Sequence, residues 1–214
     1  MHSNFYTWFG LNEALFHAVN NVRQPWLDAF MLLGTAMGEH LLVVLYGPII
    51  VTVATFFMVR HMRALRYTAA AQCLCAVLTF AAAFVIDAAL LSYLKPHLNF
   101  PRPPLALGLS SVHLLGKIKD FHHSFPSGHA SFAMTLVASL WVALPHGARV
   151  MGVFFVLWVA LSRVYVGAHF PADVTAGAVS ALLIVLAVRA ATGPLSQKVV
   201  HWGAGRLALR ARQR

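Results

Sequence analysis

Five apolar runs of bilayer-spanning length dominate this chain of 214 residues, at about 40–59, 67–94, 129–145, 148–166 and 172–191. About 20 apolar residues in a helix cover the hydrocarbon core of a membrane. A chain there must satisfy its backbone internally, so repeated runs of this length dictate a helical bundle. Composition agrees: 59% of residues are hydrophobic and 10% charged, too few charges to coat a soluble domain. The expected fold is all-α, a polytopic membrane bundle of five to six transmembrane helices forming one domain over residues 1–214. Two N-terminal segments are weaker. Residues 4–20 place Phe5, Trp8, Phe9, Leu15, Phe16 and Val19 at roughly helical spacing with Asn4, Asn12 and Glu13 between them, which predicts an amphipathic helix at the interface. Residues 27–38 are apolar, short and interrupted by Asp28, which predicts an interfacial or re-entrant piece, with a tilted sixth span as the alternative. The N-terminus lacks a basic n-region before an apolar core, so no cleaved signal peptide is expected.

The formal net charge is +10, but the cations are not spread evenly. One set holds Arg60, Arg63, Arg66, Arg149 and the tail with Arg189, Lys198, Arg206, Arg210, Arg212 and Arg214; the other holds Lys95, Arg102, Lys117, Lys119 and Arg163. The positive-inside rule assigns the first set to the cytoplasm and turns the second, with the 95–128 loop, outward. Cations between apolar runs suit lipid headgroups, and no nucleic-acid recognition motif is present, so the bilayer rather than DNA or RNA is the expected partner. Cys73 and Cys75 point in different directions on a helix and form neither a disulfide nor a metal pair.

Three polar clusters fall on the outward side: Lys95 to Arg102-Pro103; Pro126-Ser127-Gly128-His129; and Ser162-Arg163 through His169 to Asp173. Lys95, Arg102 and Arg163 offer three cations suited to phosphate oxygens; taken singly, each reads rather as an interfacial anchor. Ser127-Gly128 precedes an apolar run, so free N–H groups of a helix start could face an anion there, or Ser127 could simply cap the helix. His169 and Asp173 lie four apart with Pro171 where a helix can begin. The carboxylate could fix the imidazole tautomer and leave a lone pair free to attack, or the pair could be a structural cap. Twelve histidines invite a metal, but His97, His113, His122 and His123 lack ligand spacing. Neither a metal nor a cofactor is expected. Asp87, inside the 67–94 run, is expected to pair with a cation or hydroxyl near the active layer. Glu39 and His40 lie near the same outer face.

Together the clusters resemble the type 2 phosphatidic acid phosphatase superfamily, whose signature is Lys, six residues, Arg-Pro; then Pro-Ser-Gly-His; then Ser-Arg, five residues, His, three residues, Asp. Each position is met between residues 95 and 173. The resemblance implies that His169 is the nucleophile, Asp173 its orienter and His129 the general acid and base. It also implies that Lys95, Arg102, Ser127, Gly128 and Arg163 hold the phosphoryl oxygens. The short chain with an N-terminal interfacial helix is most similar to bacterial undecaprenyl diphosphate phosphatases. That implies a multi-pass protein of the bacterial cytoplasmic membrane with an outward site, acting on a lipid phosphate. Phosphatidylglycerophosphate, phosphatidic acid and lipid A 1-phosphate are alternative substrates. A lipid phosphotransferase, or an inactive transporter or scaffold, are alternative functions. The oligomeric state is left open.

Overall fold

The computed structural model describes residues 4–39, 46, 66–118 and 120–212. All regular structure among them is helical. In chain order the helices are α1 (Asn4–Thr7), α2 (Leu11–Asn20), α3 (Pro25–Met37), α4 (Arg66–Leu98), α5 (Pro103–Leu107), α6 (Gly128–Leu140), α7 (His146–Tyr165) and α8 (Pro171–Arg212). Three described segments are long and apolar enough to cross a membrane: Cys75–Leu107, His146–Tyr165 and Pro171–Thr192. The expected span at 40–59 lies outside the described residues except for Tyr46, as do His40, Arg60, Arg63, Lys119 and Arg214.

The remaining expected spans are present with shifted ends. α4 runs past residue 94 and carries Pro96 in its last turn. The 129–145 run is shorter than expected: α6 stops at Leu140, and turns fill the interval to Pro145. The apolar Trp141-Val142-Ala143-Leu144 segment continues the hydrophobic pattern, but the residue before a proline is biased away from helical geometry. At 13 residues α6 is about 20 Å long. It is the buried axis of the bundle, with Ala130 through Ala133 and Thr135 through Ser139 all enclosed. Its face carrying Phe132 and Leu136 meets Phe80 of α4, Ala133 and Val137 meet Val156 and Val159 of α7, and Ala138 meets Val185 and Val188 of α8. A helix apolar all round belongs inside a bundle.

The N-terminal segment is not one continuous helix. Trp8, Phe9 and Gly10 have φ of 49°, 57° and 94°, so a 3-10 turn separates α1 from α2. This break turns Tyr6 and Asn12 towards the protein, whereas the amphipathic pattern placed Asn12 among the polar spacers. Asn12 is buried and accepts the Ala172 N–H at 2.9 Å. Asn20 is also buried: its Nδ2 donates to the carbonyls of His113 and Tyr165, both at 2.8 Å, and its Oδ1 accepts the His113 N–H. Removing one partner from such buried sets costs about 1–3 kcal/mol.

α3 packs lengthwise on α7. Phe30 stacks on Trp158 with ring centroids 4.6 Å apart, and Thr35 Oγ1 meets Ser162 Oγ at 3.1 Å. Asp28, which interrupts the apolar pattern, accepts the Tyr165 hydroxyl at 2.5 Å. At 13 residues α3 is too short to cross a bilayer alone, as expected for a piece docked on the bundle.

The end of α6 nearest Ser127 rests on Gly177 of α8. A Cβ at Gly177 would collide with the Ser127 carbonyl, which is backbone and cannot swing aside. Gly177→Ala should therefore lower the melting point in detergent by the equivalent of about 1–3 kcal/mol. It should also impair phosphate release, because it displaces the start of α6. A calorimetric or fluorescence melt together with a turnover assay checks both; an unchanged melt would show that the two helices separate freely.

Candidate active site

The link between α7 and α8 delivers the histidine. Gly167, at φ 77°, closes α7: its N–H donates to Val164 O at 3.0 Å and the Ala168 N–H to Arg163 O at 3.0 Å, the two bonds of a Schellman ending. Pro171 then opens α8. His169 sits between the two helix ends, 2% exposed, and Asp173 is enclosed in the first turn of α8.

Asp173 does both things the spacing allowed. Its Oδ2 accepts the Phe170 N–H at 2.9 Å, the side-chain half of a capping box. The same oxygen lies 3.3 Å from His169 Nδ1 and accepts the Ser124 hydroxyl, while Oδ1 accepts the Tyr6 hydroxyl at 2.8 Å. Ser124 Oγ is also 3.3 Å from His169 Nδ1. Burial, and then the neighbouring Asp173 charge, push the Tyr6 phenol far above its ordinary range, so it stays protonated and donating.

On the other side of the ring, Arg102 Nη1 donates to His169 Nε2 at 3.0 Å and to Ala168 O at 3.0 Å. An arginine can only donate, so Nε2 presents its lone pair and the proton belongs on Nδ1, facing Asp173. Burial, then the charges of Arg102, Arg163 and Lys95, push His169 well below the usual histidine range. The imidazole is therefore neutral at physiological pH, with a lone pair directed into a cluster of cations.

Arg102 Nε, Arg163 Nε and Ser127 Oγ are buried polar atoms without a hydrogen-bond partner among the described residues. Buried donors of this kind normally have acceptors, and a tetrahedral anion supplies several at once. Lys95 lies near enough to Arg102, Arg163 and Asp173 to feel their charges. Ser127 occupies the N-cap position of α6 but makes no side-chain capping bond; its N–H donates to Asp173 O at 3.0 Å, which ties the α6 start to α8. His129, in the first turn of α6, has Nε2 3.4 Å from Glu39 Oε2.

All the signature residues thus converge where α4, α6, α7 and α8 meet the 99–127 loop. Residues 72–195, more than half of the chain, match the family model described as PAP2 superfamily. The chain belongs to the PAP2 superfamily.

Among curated PAP2 relatives, an undecaprenyl-diphosphatase of Sulfolobus acidocaldarius is 41% identical over 59 residues, covering 28% of this chain and 29% of that protein. A lipid A 1-phosphatase of Rhizobium etli is 41% identical over 54 residues, covering 25% and 23%. These alignments span under a third of either relative. Two solved structures align far more completely. LpxE of Aquifex aeolicus superposes with TM-score 0.66 at 26% identity, over 83% of this chain and 94% of that one. A transmembrane PAP2 type phosphatidylglycerolphosphate phosphatase of Bacillus subtilis gives TM-score 0.63 at 25% identity, over 90% and 89%. The protein is thus a multi-pass PAP2 protein whose described residues form a helical bundle.

Several participants in this PAP2 site carry no motif: Tyr6, Ser124 and Glu39. Asp87 meets the Ser131 hydroxyl, with Oγ 2.6 Å from each carboxylate oxygen, so its partner is a hydroxyl of α6 rather than a cation. His123 pairs with Asp120 at 2.8 Å and His97 Nδ1 contacts Tyr93 O at 2.6 Å. Among the described residues no three His, Cys, Asp or Glu side chains cluster as metal ligands.

Proposed function

We propose that this chain is a lipid phosphatase working through a phosphohistidine. The observation that carries it is His169 Nε2, whose lone pair faces the Arg102 guanidinium at 3.0 Å among further buried cations. The oxygens of an incoming phosphoryl group would accept hydrogen bonds from Arg102, Arg163, Lys95, Ser127 Oγ and the Gly128 N–H, placing phosphorus in line with Nε2. The N–P bond forms as the bond to the leaving oxygen breaks, and His129 gives that oxygen a proton. Water then attacks phosphorus, His129 takes a proton from it, and phosphate leaves with His169 restored. Asp173, held by Tyr6, Ser124 and the Phe170 N–H, keeps the Nδ1 proton in place throughout. The cations neutralise developing charge in an enclosed site, so a metal ion is not required.

We further propose an outward-facing site in a bacterial cytoplasmic membrane, on the sorting of cations along the chain. The substrate favoured here is a polyprenyl diphosphate such as undecaprenyl diphosphate. The relative from Sulfolobus acidocaldarius carries that activity in its name, and a phosphate leaving group is easier to expel than an alkoxide. Phosphate release by purified protein in detergent from undecaprenyl diphosphate, phosphatidylglycerophosphate, phosphatidic acid and a lipid A 1-phosphate, with and without EDTA, tests the phosphatase, its substrate and its independence of metal. The expected result is the highest kcat/KM for the diphosphate and insensitivity to chelation. Preference for a monoester would overturn the substrate assignment; release from none of the four would overturn the phosphatase.

A further inference from the structure

α3 brings a second carboxylate to the site. Gly34 and Gly38, four apart, form its face towards α7. A Cβ on Gly34 would stand 2.8 Å from Trp158 Nε1, and one on Gly38 would overlap Val159 Cγ1 and approach His129 Cβ to 3.4 Å. The C-terminal end of α3 is therefore seated against both α7 and the first turn of α6 without slack. The residue that follows is Glu39, whose N–H closes on Ala36 O at 3.1 Å. Its Oε2 lies 3.4 Å from His129 Nε2; the imidazole is 18% exposed and the carboxylate 39%.

The surrounding charges make this contact consequential. Around the site stand Lys95 of α4, Arg102 of the loop and Arg163 of α7, with Asp173 of α8 turned to His169 and Asp87 of α4 engaged by Ser131. A neighbouring cation disfavours a protonated imidazole, and of the three Arg163 is the one linked to the Glu39–His129 contact. Glu39 supplies opposite charge to His129, and it also interacts electrostatically with Arg163.

We propose that Glu39 is a positioning residue for His129, holding its Nε2–H so that the imidazolium persists and Nδ1–H is the proton offered to the leaving oxygen. The site then contains two histidine–carboxylate pairs of opposite effect. Asp173 fixes a neutral ring with a free lone pair, and Glu39 stabilises a charged ring with a proton to give. This rests on the reading of His129 as general acid and base. No proton is consumed: the one His129 gives to the leaving oxygen returns from the attacking water.

The test compares leaving groups. Dioctanoyl phosphatidic acid expels an alkoxide and needs protonation, whereas p-nitrophenyl phosphate expels a stable phenolate and does not. Glu39→Gln is near-isosteric at a partly open position, and its fold is checked by melt and gel filtration. It should lower kcat/KM on the lipid about tenfold while leaving kcat/KM on the aryl ester within about twofold, because kcat/KM ends at formation of the phosphohistidine and leaves out its hydrolysis, which both substrates share. It should also move the basic limb of the pH profile of kcat/KM down by about one unit, since an imidazolium without its carboxylate loses its proton more readily. Glu39→Asp should recover part of the loss. His129→Ala serves as the reference and should show a larger loss with the same dependence on leaving group. If His129→Ala shows that dependence and Glu39→Gln does not, or if Glu39→Gln leaves the basic limb in place, the positioning role is overturned while the phosphatase reading stands. Equal losses on both substrates for His129→Ala would overturn the general-acid assignment, and with it the role of Glu39.

Discussion

Alanine at position 169 is expected to abolish phosphate release, with a loss on the order of ten-thousandfold or more, as for removal of other covalent nucleophiles. The site has no substitute. The other enclosed base, Asp173, already accepts from Tyr6, Ser124 and the Phe170 N–H, and His129 faces Glu39. The fold should survive, because those donors continue to satisfy Asp173 once the ring is gone. The α7–α8 link is also held by backbone bonds from Ala168 and His169 to Arg163 O, which do not involve the side chain. A melt close to that of the unmodified protein beside a flat phosphate-release trace is the predicted pair of results. Turnover near the original rate would remove His169 from the chemistry altogether. Asp173→Asn should be severe but less complete, since the proposed nucleophile remains while its tautomer is no longer enforced.

Arg102→Lys should cost about a hundredfold to a thousandfold in kcat/KM, the range for losing one fixed donor to a transition-state oxyanion. The substitution keeps the charge and discards the geometry. Arg102 divides Nη1 between Ala168 O and His169 Nε2 and keeps a buried Nε without a described partner. An ammonium on a flexible stem cannot hold the link, steady the ring and present a planar fork to phosphate at once. The loss should fall mainly on kcat, because the positive charge that attracts the substrate is retained. A loss confined to KM would show that Arg102 contributes only attraction.

The candidate cluster was legible because its residues stand at fixed spacing. Pro171 starts a helix, so His169 and Asp173 four apart meet across its first turn. Gly167 closes the preceding helix, so Arg163 and His169 belong to one turn. The cations sort by the alternation of apolar runs. What the sequence concealed are the single polar residues supplied by distant segments. Tyr6 and Ser124 reach Asp173 from 167 and 49 positions away. Neither has a neighbour that marks it, and Tyr6 sits where an aromatic residue already has reason to be as an interfacial anchor. Asn12 looked like the wet side of an amphipathic helix; the break at Trp8–Gly10 makes it an internal fastener instead, and Asn20, at the end of α2, is a second one held at His113. The end of α6 was misplaced because Trp141 to Leu144 are apolar, and hydropathy does not distinguish an apolar turn from a continuing helix.

The family-matched stretch begins at residue 72, whereas Tyr6, Asn12, Asn20, Asp28 and Glu39 all precede it. Each of these five holds something inside it: the orienting carboxylate, the start of α8, the loop beside α7, the Tyr165 hydroxyl and the second histidine. The signature segment is therefore not a self-sufficient cassette. A chimera that grafts residues 72–195 onto another leader would inherit every motif yet lose the outer struts that keep them aligned. Swaps among relatives should exchange the first 39 residues together with the motifs, or the recipient will carry the right letters in the wrong posture.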